Sequence, residues 1–210
     1  MLDKVLANAL EGFTVIEDGT GVVGEILANQ MATFAEAAGK TVGHINMDRR
    51  EAGVLRDGGN GGRKSSNSDA PPETVRSGRS KQGAQLLPAH RYVVREEEEF
   101  DLIVIHGMSL YLYDKSIREI VETTEGLVSQ SRQNRSFIVT LQGTMLDEKT
   151  TAYIEGQADS VIVVKTELAA ERVSRSLFLQ KLRGEVPTDR LIKFTLDEAG
   201  LQVDTREFLG

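Results

Sequence analysis

FTVIEDGTGVVGEI, residues 13–26, sets an apolar, β-prone run directly before a glycine loop and a helix-forming segment. Phe13–Glu17 reads as a strand, and Asp18-Gly19 as the turn that ends it. A helix is expected from about Val23 to Ala38, with Ile26, Leu27, Gln30, Met31 and Phe34 facing a sheet and Gly39 closing it. Thr41–Met47 then reads as a second strand, parallel to the first, which makes the whole stretch a βαβ unit.

The loop itself is Gly19-Thr20-Gly21-Val22-Val23-Gly24-Glu25-Ile26. Set on the phosphate-cradling pattern G-x-x-x-x-G-K-[ST], both glycines fall in place. Glu25, however, stands where a lysine reaches the phosphates, and Ile26 where a hydroxyl holds Mg²⁺. Two unit charges about 4 Å apart interact by roughly 4 kcal/mol at an effective dielectric near 20, so lysine to glutamate turns an attraction of that order into a repulsion. The chain has 20 glycines, and spacing alone leaves the alternative that Gly19 and Gly24 are ordinary turn residues.

Outward from the loop, Leu2, Val5, Leu6 and Leu10 lie on one face of an amino-terminal helix. From Gly53 to Gln85 the sequence is glycine, serine, asparagine, proline and basic residues with little apolar content, and is expected to be a disordered basic insertion within a single domain of residues 1–210. Between Arg49 and Arg95 ten basic residues stand against four acidic ones, a balance of +6 that leaves −13 on the remainder of a chain of net charge −7. Leu102–Ile105 is a continuous apolar strand ending at His106, the mark of a strand buried on both faces. A helix over about Lys115–Gln133 (Ile117, Ile120, Val121 and Leu127 inward), a strand Phe137–Leu141, a helix near Asp147–Gly156 and a strand Ser160–Val164 follow. Val173–Leu179, Leu191–Leu196 and Leu201–Val203 read as antiparallel strands, with a hairpin at Lys181–Gly184. The fold class is α/β, a mostly parallel sheet with an antiparallel meander at its end.

The chain has no cysteine, which excludes disulfides, thiolate metal sites and cysteine nucleophiles. His44, His90 and His106 show no ligand spacing, so no metal site is expected. No apolar run has the length of a membrane span and the first residues lack a cleavage signature, so a cytoplasmic protein with no membrane contact is expected.

Taken together, the glycine loop, the LIVI strand, FIVTLQGT (residues 137–144), the Ala158–Ile162 strand start and Arg172–Gly184 resemble the RecA superfamily of P-loop ATPases, most closely its archaeal KaiC-like branch. The resemblance covers about Leu2–Asp48 and Phe100–Thr205 and implies a RecA-like three-layer αβα sandwich. In that family the strand matching LIVI ends in an aspartate behind the Mg²⁺, where this chain has His106. The acidic pair after the second strand is matched by Asp48 and Arg49. The resemblance therefore implies a vestigial nucleotide site at Gly19, Thr20, Gly21, Gly24, Glu25, Ile26, Asp48 and His106, with no catalytic residue and ATP binding weak or absent. For His106 the plain alternative is a histidine satisfied by the backbone, and for Asp48 a turn or helix-cap residue.

A Lys-x-Arg pair is kept at Lys181 and Arg183, two apart on a strand and so on one face. In KaiC-like proteins such a pair reaches the neighbouring subunit, against the alternative of a solvated hairpin. The functional expectation is a non-catalytic pseudo-ATPase acting as a regulatory or structural subunit, with itself or with an active KaiC-like paralogue. Two alternatives stand beside it. One is a nucleic-acid-binding module using the basic insertion, weakly, since no aromatic residue lies between Arg49 and Arg91. The other is a divergent ATP-binding protein with residual activity.

Overall fold

The computed structural model describes residues 8–47, 74–76, 100–133, 135–169, 172–184, 191–197 and 200–203. Its elements are β1 (Phe13–Asp18), α1 (Val22–Ala37), β2 (Val42–Asn46), β3 (Thr74–Arg76), β4 (Leu102–His106), α2 (Met108–Leu112), α3 (Ile117–Ser131) and β5 (Ser136–Gln142). They continue with α4 (Glu148–Gln157), β6 (Ser160–Ala169), β7 (Arg172–Lys181), β8 (Leu191–Asp197) and β9 (Gly200–Val203). The described strands form one sheet in the order β3-β2-β4-β5-β1-β6-β7-β8-β9. β2, β4, β5, β1 and β6 are parallel neighbours, whereas β3 pairs antiparallel with β2, and β6 to β9 run as an antiparallel meander.

Alternation along the central strands divides the core in two. Ile16, Leu102, Val104, Ile138 and Ile162 point to the face covered by α1, where they meet Leu27, Met31 and Ala35. Phe13, Val15, Ile103, Ile105, Phe137 and Val139 point to the other face, where Met108, Leu112, Ile120, Leu127 and Ile154 of α2, α3 and α4 cover them. This is the expected three-layer αβα sandwich. Val104, Ile105, Ile138 and Val139 are buried because helices lie on both sides.

Several local expectations change. Phe34 and Ile117, expected to face inward, are exposed, because the buried stripe of α1 runs through Met31 and Ala35 and because Ile117 opens α3 on its outer side. Thr74–Arg76, within the stretch expected to be disordered, forms the edge strand β3; the rest of 53–85 lies outside the described residues. β6 runs to Ala169 rather than ending at Val164. Its first half pairs with β1 and its whole length with β7, so one long strand joins the parallel core to the meander.

The meander is fastened to α1 by a side chain. Gln30 accepts from Leu201 N at 2.9 Å through Oε1 and donates to Leu201 O at 3.2 Å through Nε2, so one amide pairs with the edge strand as a neighbouring strand would. Each net hydrogen bond contributes about 1 kcal/mol. Gln30→Ala is expected to lower the unfolding free energy by about 1–2 kcal/mol in urea titration, with Gln30→Glu not restoring it. Unchanged stability in the alanine variant would show that the clasp does not hold β9.

Candidate functional site

The glycine loop is short. β1 ends at Asp18, α1 begins at Val22, and only Gly19–Gly21 lie between. Gly21 takes a left-handed φ of 76° at the helix cap and has no side chain to offer the first amides. Asp18 does that work from three residues earlier. Its carboxylate accepts from Val23 N at 2.8 Å, Gly24 N at 3.0 Å, Thr20 N at 3.0 Å and the Thr20 hydroxyl. The side chain is 1% exposed. A Cβ at Gly24 would stand 3.0 Å from Asp18 Cβ and 3.4 Å from Ile16 Cγ2, so glycine there lets the helix start close against the strand. Amides at a helix start are suited to an anion, and here the anion is the chain's own.

Glu25 lies one residue further, on the first turn of α1. Its Oε1 accepts from Gly107 N at 3.2 Å and from the Thr140 hydroxyl, and its Oε2 meets His106 Nδ1. His106 Nε2 is 3.0 Å from His44 Nδ1. The two ring planes differ by 7°, and their centroids are 5.3 Å apart. That separation exceeds the nitrogen contact by about one ring diameter, so the rings meet edge to edge in one plane and do not stack face to face. Four elements thus supply one chain of contacts: β5 Thr140, α1 Glu25, β4 His106 and β2 His44. Burial, and then the neighbouring His106 ring, push the His44 imidazole below its ordinary value, with Glu36 and Glu25 opposing.

The structure therefore brings together Gly19, Thr20, Gly21, Gly24, Glu25 and His106 at the carboxyl ends of the parallel strands, where open α/β sheets bind ligands. Ile26 is half-buried on α1, and Asp48, with Arg49, lies outside the described residues. Lys181 and Arg183 sit at the opposite end of the strands, beside the start of β6. Lys181 pairs with Val161 near the start of β6, and its ammonium donates to the carbonyls of Gly156 (3.3 Å) and Ala158. β7 ends at Lys181, so Arg183 is a turn residue and the same-face argument does not reach it; its amide donates to Ser160 Oγ at 3.1 Å. Among the described residues no group of three or more His, Asp or Glu side chains is placed to hold a metal ion, and no helix is long and apolar enough to cross a membrane.

The sequence reading missed Asp18, His44 and Glu17. An acid directly before a glycine loop is the available sign of Asp18, which from the sequence alone reads as a turn residue. Glu17 faces the opposite side of β1. Burial, then a hydrogen bond with Glu155 and repulsion from it, push its carboxyl up to about 7.

Neither a family model nor a curated protein matches this sequence. Solved structures do match it. The flagellar accessory protein FlaH from Methanocaldococcus jannaschii superposes with a TM-score of 0.67 at 12% identity, covering 97% of this chain and 94% of that one. The KaiC-like protein PH0186 from Pyrococcus horikoshii OT3 superposes at 0.61 and 16% identity, covering 92% and 89%. The chain has a KaiC-like RecA fold. At such identities it is the fold that is shared.

Two predictions follow from this geometry. Asp18→Ala strands two helix-start amides and is expected to cost about 3 kcal/mol of stability by urea unfolding. Sulfate or phosphate should restore part of that in the variant and leave the wild type unmoved; equal salt responses would mean the amides are not an anion site. A carboxyl with a raised folded pKa holds its proton where the unfolded chain has lost it. Glu17 therefore contributes less as pH rises from about 4.5, its unperturbed value, through about 7. The melting temperature should fall over that window, and Glu17→Gln should flatten the fall; an unaltered slope in the variant would assign it to another group.

Proposed function

We propose that this chain is a non-catalytic KaiC-like protein, a pseudo-ATPase that serves as a regulatory or structural subunit in homo- or hetero-oligomers. The observation that carries this reading is the Asp18 carboxylate on the Val23 and Gly24 amides. A nucleotide phosphate at those amides has to displace a buried, fully bonded anion of the same charge sign. Glu25 adds a second negative group where the phosphate-binding pattern has a lysine, and it is tied to His106, Thr140 and Gly107 rather than free to swing away. Phosphoryl transfer depends on positioned cations around the phosphates, and the residues at these positions are a glutamate, an isoleucine and a histidine.

On this reading no metal or nucleotide is required, and the protein works in the cytoplasm through contact with a second copy or with an active KaiC-like paralogue. Lys181 and Arg183 are the candidate contact across that subunit boundary, with the Lys181 ammonium also donating to carbonyls of its own chain. Nucleic-acid contact through the basic insertion and residual ATPase activity are the competing readings. The first rests on residues outside those described, and the second requires Asp18 to leave the loop.

Isothermal titration with MgATP is the test. Wild type should give no saturable heat. A variant combining Asp18→Gly, Glu25→Lys and Ile26→Thr should bind at least about tenfold more tightly, and adding His106→Asp should make binding Mg²⁺-dependent. Tight binding by the wild type, or no gain in a folded combined variant, would overturn the reading.

A further inference from the structure

The contacts of Glu25, His106 and His44 have a direction. A carboxylate at Glu25 accepts the Nδ1 proton of His106, which leaves His106 Nε2 as an acceptor. His44 Nδ1, 3.0 Å away and in the same plane, must then be the donor, and His44 Nε2 keeps the one lone pair at the end of the line. Two imidazole nitrogens that chelate a metal converge on a common point at an angle. These two face each other head-on, with room between them for one proton.

The position of the line within the fold gives it a consequence. His44 is the middle residue of β2, which lies outside β4 and carries the edge strand β3, its backbone partner Val75 lying opposite His44. α1 lies mainly over β1, β4, β5 and β9 and reaches β2 less, and the Glu25–His106–His44 line is a polar tie between α1 and β2. Among the described residues, the charged and titratable groups that act on His44 are Glu25 and Glu36 from α1 and His106 from β4.

We propose that Glu25, His106 and His44 form a proton-sensitive latch that fastens the outer strands β2 and β3 to α1 when neutral and loosens them when His44 takes up a proton. This rests on the geometry of the line and not on the pseudo-ATPase reading. The proton binds His44 Nε2, and no other bond is made or broken in the closed state. Burial disfavours the resulting imidazolium, and the neighbouring His106 ring adds to the penalty. The opened state, in which His44 meets water, binds the proton more readily. The sign follows: a base with a lowered pKa in the closed state loses closing free energy as pH falls below about 6.5, at most tenfold in the opening equilibrium per pH unit for one proton.

Amide hydrogen exchange of the full chain between pH 7.5 and 5.0, corrected for intrinsic exchange rates, reads this directly. Protection of Val42–Asn46 should fall several-fold across that range while Ser136–Gln142 of β5 stays constant. His44→Phe should hold β2 protection level with pH. In parallel, nitrogen-resolved NMR of the wild type should show the Nδ1–H tautomer at both His44 and His106 at pH 7.5. Constant β2 protection in the wild type, the same pH dependence in a folded His44→Phe, or an Nε2–H tautomer at His106 would each overturn the proposal. The tautomer result decides it even if the variant does not fold.

Discussion

The bond set on Asp18 is the constraint on which the rest of the loop depends. One buried carboxylate takes the amides of Val23 and Gly24 and both donors of Thr20, so only three residues separate the end of the strand from the start of the helix. Its removal would leave helix-start donors facing a buried pocket, at about 1–3 kcal/mol for each group left unpaired. Gly24 is fixed by the same contact, because a side chain there would meet Asp18 and Ile16. Gly21 is fixed by its left-handed backbone. Gly21 and Gly24 thus have a structural reason that holds with no phosphate present, whereas a side chain at Gly19 would meet open space.

Glu25 and His106 are best understood together. The phosphate-binding pattern pairs a cation at the helix start with a carboxylate at the neighbouring strand end. Here the carboxylate is on the helix and an imidazole is on the strand, and the two side chains meet. Glu25 is 31% exposed and His106 12%, enough enclosure for the contact to orient both side chains. The pair then extends sideways to His44, joining a position of the loop to β2, the strand next to the edge of the sheet.

Much of this was legible in the sequence. The burial of Leu102–Ile105 on both faces, the βαβ start and the three-layer arrangement follow from apolar runs and helical periodicity, which local chemistry dictates. Glu25 and Ile26 are found by laying a spacing pattern on the chain, and His106 by the resemblance of its strand to the KaiC-like one. Asp18 is not, because its partners are local amides of a loop that no spacing pattern assigns to it. His44 is not, because its partner is chosen by tertiary packing: His44 and His106 are 62 residues apart and meet only through the β2–β4 register. The long β6–β7 ribbon was also missed. Lys165–Leu168 carry polar and charged residues among the apolar ones, and exposed ribbons lack the apolar run that marks a buried strand.

The central claim is that the loop's anion site is filled from within. Amide NMR resonances of Val23 and Gly24, followed while MgATP is added to the wild-type chain to millimolar concentration, address it at the atoms concerned. The account predicts that both resonances stay where Asp18 places them throughout the titration. A saturable shift of either amide, with Asp18 in place, would contradict it.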